Sequence, residues 1–396
     1  MVKQSTSMNL KNILRPIYNF LKRIIHFRTI EYSPIVYNVN KIKNTNNKRC
    51  LILYITHPFI EKEISVSHQN HWQAIEMARI IGKHNYIVDV ADYQNSSIKL
   101  DYSYDLVIGL IPRGFNIYAT HMNPGCKQIA YLTSMNLAVT SANELKRIEE
   151  CYQRRGVKLK PRRFAGYIEK SIEQFDAVWY IGNKYNFHSY DCFKMPPVFF
   201  IKNTGYVFPW ADPNCERNAH NFMYFGSMGQ VHKGLDLLLE LFAEEIKDCT
   251  LYVCGNFARE EDFTLEYHKE LYETSNIIPV GQVNINTDLY EKLASKCAYT
   301  ILPSCAEGCA GSVITNMSAG IIPIVSRECG FEEDEVILLP DCSKATIKSY
   351  ILEYCHKNNE WIKEQSNHSI NIVKERYQEK NFTQSIDNAL TSILEN

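Results

Sequence analysis

Glu307 stands directly before five residues with almost no side-chain bulk, Gly308, Cys309, Ala310, Gly311 and Ser312. They fall inside residues 301–326, ILPSCAEGCAGSVITNMSAGIIPIVS, whose pattern is an apolar strand, a small-residue turn, a helix and a second apolar strand. Backbone N–H groups at the start of that helix therefore lie open to a ligand. Such a terminus has unpaired donors and a partial positive charge, which suits phosphate or a sugar hydroxyl beside a phosphate. The same residues also fit an ordinary strand-to-helix turn made tight by glycine, and from this stretch alone both readings stand.

Two other groups of residues could meet a ligand. The loop HPFIEKEISVSHQN follows the apolar run CLILYIT and holds His57 and His68, with His71 at the start of the next helix. Each is a candidate for binding, and each also fits a structural role. Farther along, RRGVKLKPRR carries six basic residues in ten: Arg154, Arg155, Lys158, Lys160, Arg162 and Arg163. Runs of this kind are usually solvated faces, but this one interrupts an acidic body and suits a phosphate-bearing acceptor or lipid headgroups. Nucleic acid is a poorer match, because no aromatic-interleaved platform or recognised binding motif accompanies the charges.

The elements that must position these groups alternate strand and helix. CLILYIT, YIVDVADY, YDLVIGLI, KQIAYLTSM, DAVWYIGNKY and VFFIKNTGY read as strands, with helices over 71–82 and from 141 onward. VFPWADPNCERNAH has the prolines and polar residues of an interdomain crossing. FMYFGS, TLYVCGN, NIIPVGQ, YTILPS and IIPIVS then form a second series, separated by helices over 234–246, 259–274, 288–296 and 311–320. The expected fold class is α/β, two tandem Rossmann-like domains facing a cleft, with ligands at the carboxyl ends of the strands. The expected division is 1–48 for a basic arm and linker, 49–207 and 221–378 for the two domains, and 379–396 for a terminal helix.

Composition bounds the class. The 396 residues are 45% hydrophobic and 22% charged, enough for two globular cores. Thirteen cysteines form no CxxC pair and no Cys/His cluster at zinc spacing, which points to reduced thiols in a cytoplasmic protein. No run of 18 apolar residues and no signal-peptide pattern occurs, so neither a membrane span nor export is expected. Residues 1–50 hold ten Lys/Arg and one acid, leaving the remainder net acidic. Within that arm, Leu10, Ile13, Leu14, Ile17, Leu21, Ile24 and Ile25 recur at helical spacing among basic residues, with Pro16 as a break. A helix over 10–28 can lie on an anionic inner membrane surface, at about 1 kcal/mol per basic residue, or pack on the protein's own body.

The second series resembles the nucleotide-sugar-binding half of retaining, family 4 type glycosyltransferases of the GT-B fold. The matching stretches keep the family's order over about 170 residues: FGS, HKGLDLLLELF, LYVCGN, IIPVGQV, DLYEKLASKCAYTILPSCAEG and MSAGIIPIVS. The resemblance implies a donor site built from Gly226, Ser227, His232, Lys233, Gly234, Glu307, Gly308, Cys309, Ala310, Gly311, Ser312 and Thr315. Lys233 and Glu307 would be the catalytic pair. Lys233 would contact the donor diphosphate, and a Lys ammonium stabilises leaving phosphate without a metal, so no metal or other cofactor is expected. The first series would hold a glycan or lipid-linked acceptor, with His57, His68 and His71 as candidates.

Two positions depart from the family pattern. Thr315 stands where a second Glu usually holds the donor ribose, and Ser227 where an Arg usually joins the Lys on the diphosphate. A single hydroxyl cannot take two bonds on separate oxygens, nor favour them by charge, as a carboxylate does. His232, beside Lys233, is the expected partial replacement for the missing cation. Because of these departures, a glycosyltransferase-like protein that binds without turnover is the alternative to an enzyme of cell-surface polysaccharide or glycolipid synthesis. A nucleotide-sugar epimerase or hydrolase on the same architecture is a third reading.

Overall fold

The buried run Cys50–Tyr54 makes up the carboxyl-terminal five residues of β1 (Lys48–Tyr54), a strand covered on both faces and therefore apolar without alternation. The computed structural model describes residues 35–44, 47–61, 63, 65–66, 68–95, 98–110, 118–163 and 170–395. The amphipathic helix expected over 10–28 lies outside them. β1 joins β2 (Tyr86–Asp92), β3 (Tyr104–Gly109), β4 (Met122–Leu132), β5 (Ala177–Ile181) and β6 (Val198–Ile201) in a six-stranded sheet ordered β2-β1-β3-β4-β5-β6 through parallel pairings. Helix α1 (Asn70–Lys83) buries Ala74, Met77, Ala78 and Ile81, one face at helical spacing, against this sheet.

A second six-stranded parallel sheet runs β12-β11-β10-β7-β8-β9. Its strands are β7 (Asn218–Gly226), β8 (Thr250–Gly255), β9 (Ile277–Gly281), β10 (Cys297–Leu302), β11 (Ile322–Ser326) and β12 (Ile337–Leu339). The remaining helices, after α2 (Leu137–Arg155) and the short α3 (Lys184–Phe187), are α4 (Leu235–Glu244), α5 (Glu261–Glu266), α6 (His268–Glu273), α7 (Asp288–Lys296), α8 (Gly311–Ser318), α9 (Lys344–Tyr354), α10 (Asn359–Arg376) and α11 (Glu379–Glu395). The edge strand β12 has no counterpart in the sequence reading. The single helix expected over 259–274 is instead α5 and α6. Tyr267 separates them, with a fully buried ring and a hydroxyl that donates to Glu240 at 2.9 Å.

The two sheets exchange helices. Ile148 and Cys151 of α2, with Leu159 just beyond it, pack into the core of the second sheet. Phe382, Ile386, Ala389, Leu390 and Ile393 of α11 pack into the core of the first.

The basic run that ends α2 and continues beyond it turns its arginines onto the second domain, which corrects the expectation of an outward face for headgroups. Arg154 pairs with Asp236 at 2.5 Å and Glu240 at 2.9 Å, Arg155 with Glu266 and Glu270 at 2.8 Å each, and Arg162 with Asp262. Carboxylates at this distance, partly shielded from water, compete better for guanidinium than a mobile headgroup in high-dielectric solvent. Lys158 and Lys160 remain exposed. No helix among the described residues is long and apolar enough to cross a membrane.

Candidate functional site

In the second sheet β7 has β8 on one side and β10 on the other, so chain order reverses between β7 and β10. Loops leaving the carboxyl ends of two such strands diverge and open a crevice for ligands. The loop after β7 carries Ser227, His232 and Lys233, and the loop after β10 carries Glu307, so the two stretches singled out by sequence lie side by side.

Backbone requirements set the first loop. Gly234, the residue before α4, has φ +75°, and a Cβ there would lie 2.6 Å from the Pro303 carbonyl oxygen, so glycine is required by conformation and by contact. Glu260 accepts from the Gly229 N–H at 2.5 Å and from the Gln230 N–H at 3.2 Å. This holds the turn and leaves Lys233 pointing toward the neighbouring loop.

The second loop is tied down by its own amides. Cys305 N–H donates to His232 O at 2.9 Å, Glu307 N–H to Glu328 O at 3.0 Å and Ala310 N–H to Cys329 O at 2.9 Å. The expected row of open amides is thereby shortened, since that of Ala310 is spent on Cys329 in the turn after β11. Helix α8 begins without a side-chain cap because Ala310 has none to offer, and the first-turn N–H groups of Gly311 and Ser312 have no carbonyl within the helix to bond.

Lys233 Nζ and Glu307 Oε1 form an ion pair, and Ser304 Oγ donates to the same carboxylate oxygen at 2.9 Å. Burial pushes the Glu307 carboxyl up, but Lys233, His232 and Arg163 outweigh it and hold the pKa at about 2. At neutral pH Glu307 is therefore a hydrogen-bond acceptor and not an acid. His232 is buried. Its Nε2 lies 2.7 Å from Ala306 O, which fixes Nε2–H as the tautomer and leaves Nδ1 facing Cys305 Sγ at 3.4 Å. Desolvation lowers the His232 pKa to about 4, so the ring is neutral. With both nitrogens engaged and no charge, His232 pins the loop. It does not replace the missing cation.

A guanidinium does approach Ser227, and it comes from the other domain. Arg163 Nη2 donates to Ser227 Oγ at 3.1 Å and to Met228 O at 3.3 Å. The Arg162 and Arg163 backbone N–H groups are held by the buried carboxylate of Glu144 on α2, at 2.7 to 2.9 Å.

Carboxyl-terminal loops of the first sheet close over this site. Gln69 Nε2 donates to Gly311 O at 2.8 Å and to Thr315 Oγ1 at 3.1 Å, while the Thr315 hydroxyl donates to Gly311 O at 2.9 Å. Thr315 is thus buried beneath Gln69, with its hydroxyl both donating and accepting. Met135 N–H donates to Glu307 O at 3.0 Å, and Asn186 Nδ2 reaches the carbonyls of Glu307, Gly308 and Glu328 at 2.9 to 3.0 Å. Gly308 is pressed so closely that a Cβ would meet Thr133 O at 2.3 Å and Ile181 O at 2.7 Å. Cys309 touches both domain cores.

The three histidines of the loop after β1 diverge. His57 and His71 stack edge to face at 5.3 Å, and burial, then His57, lowers the His71 pKa. His68 accepts from Asn70 N–H through Nδ1 at 3.2 Å, which leaves Nε2–H as a donor. Its pKa is lowered to about 4, first by desolvation, then by His71, and also by Arg163 and Lys233 across the cleft. His68 therefore shares a field with the Lys233 site, whereas His57 and His71 form a separate pair. The buried hydroxyl of Thr56 and the ring Nδ1 of His71 lack protein partners.

Sequence reading missed Gln69 and Asn186, whose amide side chains carry no distinguishing spacing, and it placed Arg163 in an outward patch. The Arg that the resemblance implies at Ser227, absent here, was the one signal pointing toward Arg163. At the opposite end of β7, His220, Cys249 and Cys355 bring their ligand atoms within 4.8 Å of one another, a cluster that no sequence spacing announces.

The description "Glycosyl transferases group 1" belongs to the family that matches residues 219–355. Among solved structures, the chain is similar to sucrose-phosphate synthase from Thermosynechococcus elongatus, with TM-score 0.63, 13% identity and coverage of 88% of this chain and 100% of that one. It is similar to Anabaena HepE in complex with UDP-glucose, with TM-score 0.55, 12% identity, 87% of this chain and 100% of that one. It is also similar to TarM, with TM-score 0.54, 12% identity and 82% of this chain, and here it spans 58% of the longer chain. The fold is that of the GT-B glycosyltransferases. No curated protein sequence matches the chain at a significant level.

Proposed function

We propose, for a chain with the GT-B fold and a second domain of the group 1 glycosyltransferase type, transfer of a sugar from a nucleotide-diphosphate donor to a glycan or lipid-linked acceptor. One observation carries this reading: the Lys233–Glu307 pair lies at the strand-order reversal, beside the uncapped start of α8 and facing first-domain loops. Lys233 meets the diphosphate, the Gly311 and Ser312 amides approach phosphate and sugar, and Glu307, held ionised, accepts from sugar hydroxyls. His68 presents Nε2–H from the acceptor side.

In the reaction the acceptor oxygen bonds to the anomeric carbon as the bond to the β-phosphate oxygen breaks. The acceptor's proton passes to the departing diphosphate, so no side-chain base is required, and attack from the leaving-group face gives retention. Fixed charge in a water-poor cleft lowers the barrier. Lys233 supplies that charge without a divalent metal, so a chelator leaves turnover unchanged. The acceptor belongs to polysaccharide or glycolipid synthesis at the cytoplasmic membrane face, where the basic residues 10–28 give peripheral attachment.

Purified protein incubated with a panel of nucleotide sugars, with and without membrane lipid extract, tests the assignment by nucleotide release. Absence of release together with absence of any melting-temperature shift by nucleotide overturns it. For the membrane component, removal of residues 1–30 shifts the protein from liposome pellet to supernatant, and unchanged cosedimentation counts against it.

A further inference from the structure

Arg163 differs from its neighbours in the basic run. Arg154, Arg155 and Arg162 end on carboxylates of the second domain. The Arg163 guanidinium instead meets a hydroxyl and a carbonyl, Ser227 Oγ and Met228 O, and among the described residues no carboxylate lies within ion-pair distance of it. Neither partner neutralises its charge. Lys233 is paired with Glu307, and the nearby Glu144 and Glu260 carboxylates are engaged with backbone amides, so the Arg163 guanidinium is the cation of the site that has no carboxylate at ion-pair distance and is suited to an anionic group.

Its placement is built and not incidental. Glu144 fixes the backbone at Arg162 and Arg163. Helix α2, which carries Glu144, is itself fastened to the loop after β10 through Asn143 Nδ2 to Cys305 O at 2.8 Å and Arg147 Nη2 to Pro303 O at 3.1 Å. Gly229, with φ +92°, lies under the arginine, and a Cβ there would be 3.3 Å from Arg163 Cγ. The side chain thus crosses the β7 loop where that loop is smallest.

We infer that Arg163 is the second donor-phosphate cation, delivered from the first domain to the place where Ser227 leaves the second domain without one. The diphosphate site is then divided between domains. Lys233 is always present, and Arg163 is present only while α2 and the segment after it are docked. Diphosphate binding and domain closure consequently favour one another, since a ligand that touches both halves stabilises the closed arrangement by its differential affinity. This inference rests on the nucleotide-sugar reading of the Lys233–Glu307 site.

Affinities for a nucleoside and for its diphosphate, measured by calorimetry on the full chain, test it in wild type, Arg163→Ala, Arg163→Lys and the double variant Arg163→Ala with Ser227→Arg. Arg163→Ala should weaken the diphosphate about 10- to 100-fold, the range of a charge-assisted contact, and leave the nucleoside unchanged. Arg163→Lys should recover part of the loss, and Ser227→Arg should restore it from within the second domain. Equal diphosphate affinity in wild type and Arg163→Ala overturns the inference while leaving the donor site standing. Equal weakening of nucleoside and diphosphate assigns Arg163 a packing role and overturns it also. If wild type binds neither ligand, the donor-site reading falls and this inference falls with it.

Discussion

Gln69 of the first domain lies over Thr315 of the second, its amide nitrogen 3.1 Å from the threonine hydroxyl and 2.8 Å from the Gly311 carbonyl. The position at which the family resemblance implies a ribose contact is therefore occupied by an interdomain contact in this arrangement. On the proposed donor-site reading, a nucleotide must displace or rearrange Gln69 before it reaches α8.

Gln69→Ala removes two hydrogen bonds across the cleft, worth about 0.5–1.5 kcal/mol each. The expected outcome is a larger radius of gyration without ligand and a higher nucleotide affinity, because nothing has to be displaced. Small-angle scattering and calorimetry read both. A lower affinity would mean that the amide contacts the nucleotide instead of blocking it.

Lys233→Ala leaves the Glu307 carboxylate buried without its cation. Turnover should fall by about 30- to 150-fold, corresponding to roughly 2–3 kcal/mol of a desolvated charged contact. The melting temperature should fall too. In the Lys233→Ala, Glu307→Ala double variant the two stability losses should not add, since each single change already breaks the same pair. Additive losses would show that the pair contributes no coupling energy.

Gly308→Ala tests closure without altering a charge. The new methyl would meet the Thr133 and Ile181 carbonyl oxygens of the first domain, so the domains must separate slightly while each core stays intact. Far-ultraviolet circular dichroism should be unchanged and nucleotide release from a donor sugar strongly reduced. Full activity would show that the close approach is dispensable.

His232 and Glu307 contribute to the acid sensitivity, as does His68, whose folded pKa is also lowered to about 4. His232 is held neutral with a folded pKa of about 4, below the 6.5 of a free imidazole, so its contribution to stability is complete above pH 6.5 and is lost as pH falls toward 4. Glu307, at about 2, contributes above pH 4.5 and loses that contribution between 4.5 and 2. Denaturant unfolding followed from pH 7.5 to 4 should show a slope that His232→Gln flattens, because Gln keeps the donor to Ala306 and does not titrate. An unchanged slope in that variant would place the sensitivity elsewhere.

Local patterns made most of the architecture legible. CLILYIT, TLYVCGN and YTILPS are short apolar runs that only a sheet covered on both faces can bury, and their alternation with periodic helices implied two parallel sheets. The break at Tyr267 and the edge strand β12 were not legible, because each depends on packing against a distant partner, Glu240 for the former and β11 for the latter.

For the site the division is similar. The sequence alone determined that Lys233 and Glu307 follow apolar strands and precede helices, since glycine spacing and hydrophobic period are local properties of the chain. Only the tertiary structure decided that Gln69 covers Thr315, that His232 is consumed as a pin, and that Arg163, 64 residues from Ser227, reaches the Ser227 hydroxyl. A charge acts through space. The residues that meet at a cleft between two sheets are chosen by strand order and helix docking, which no spacing along the chain records.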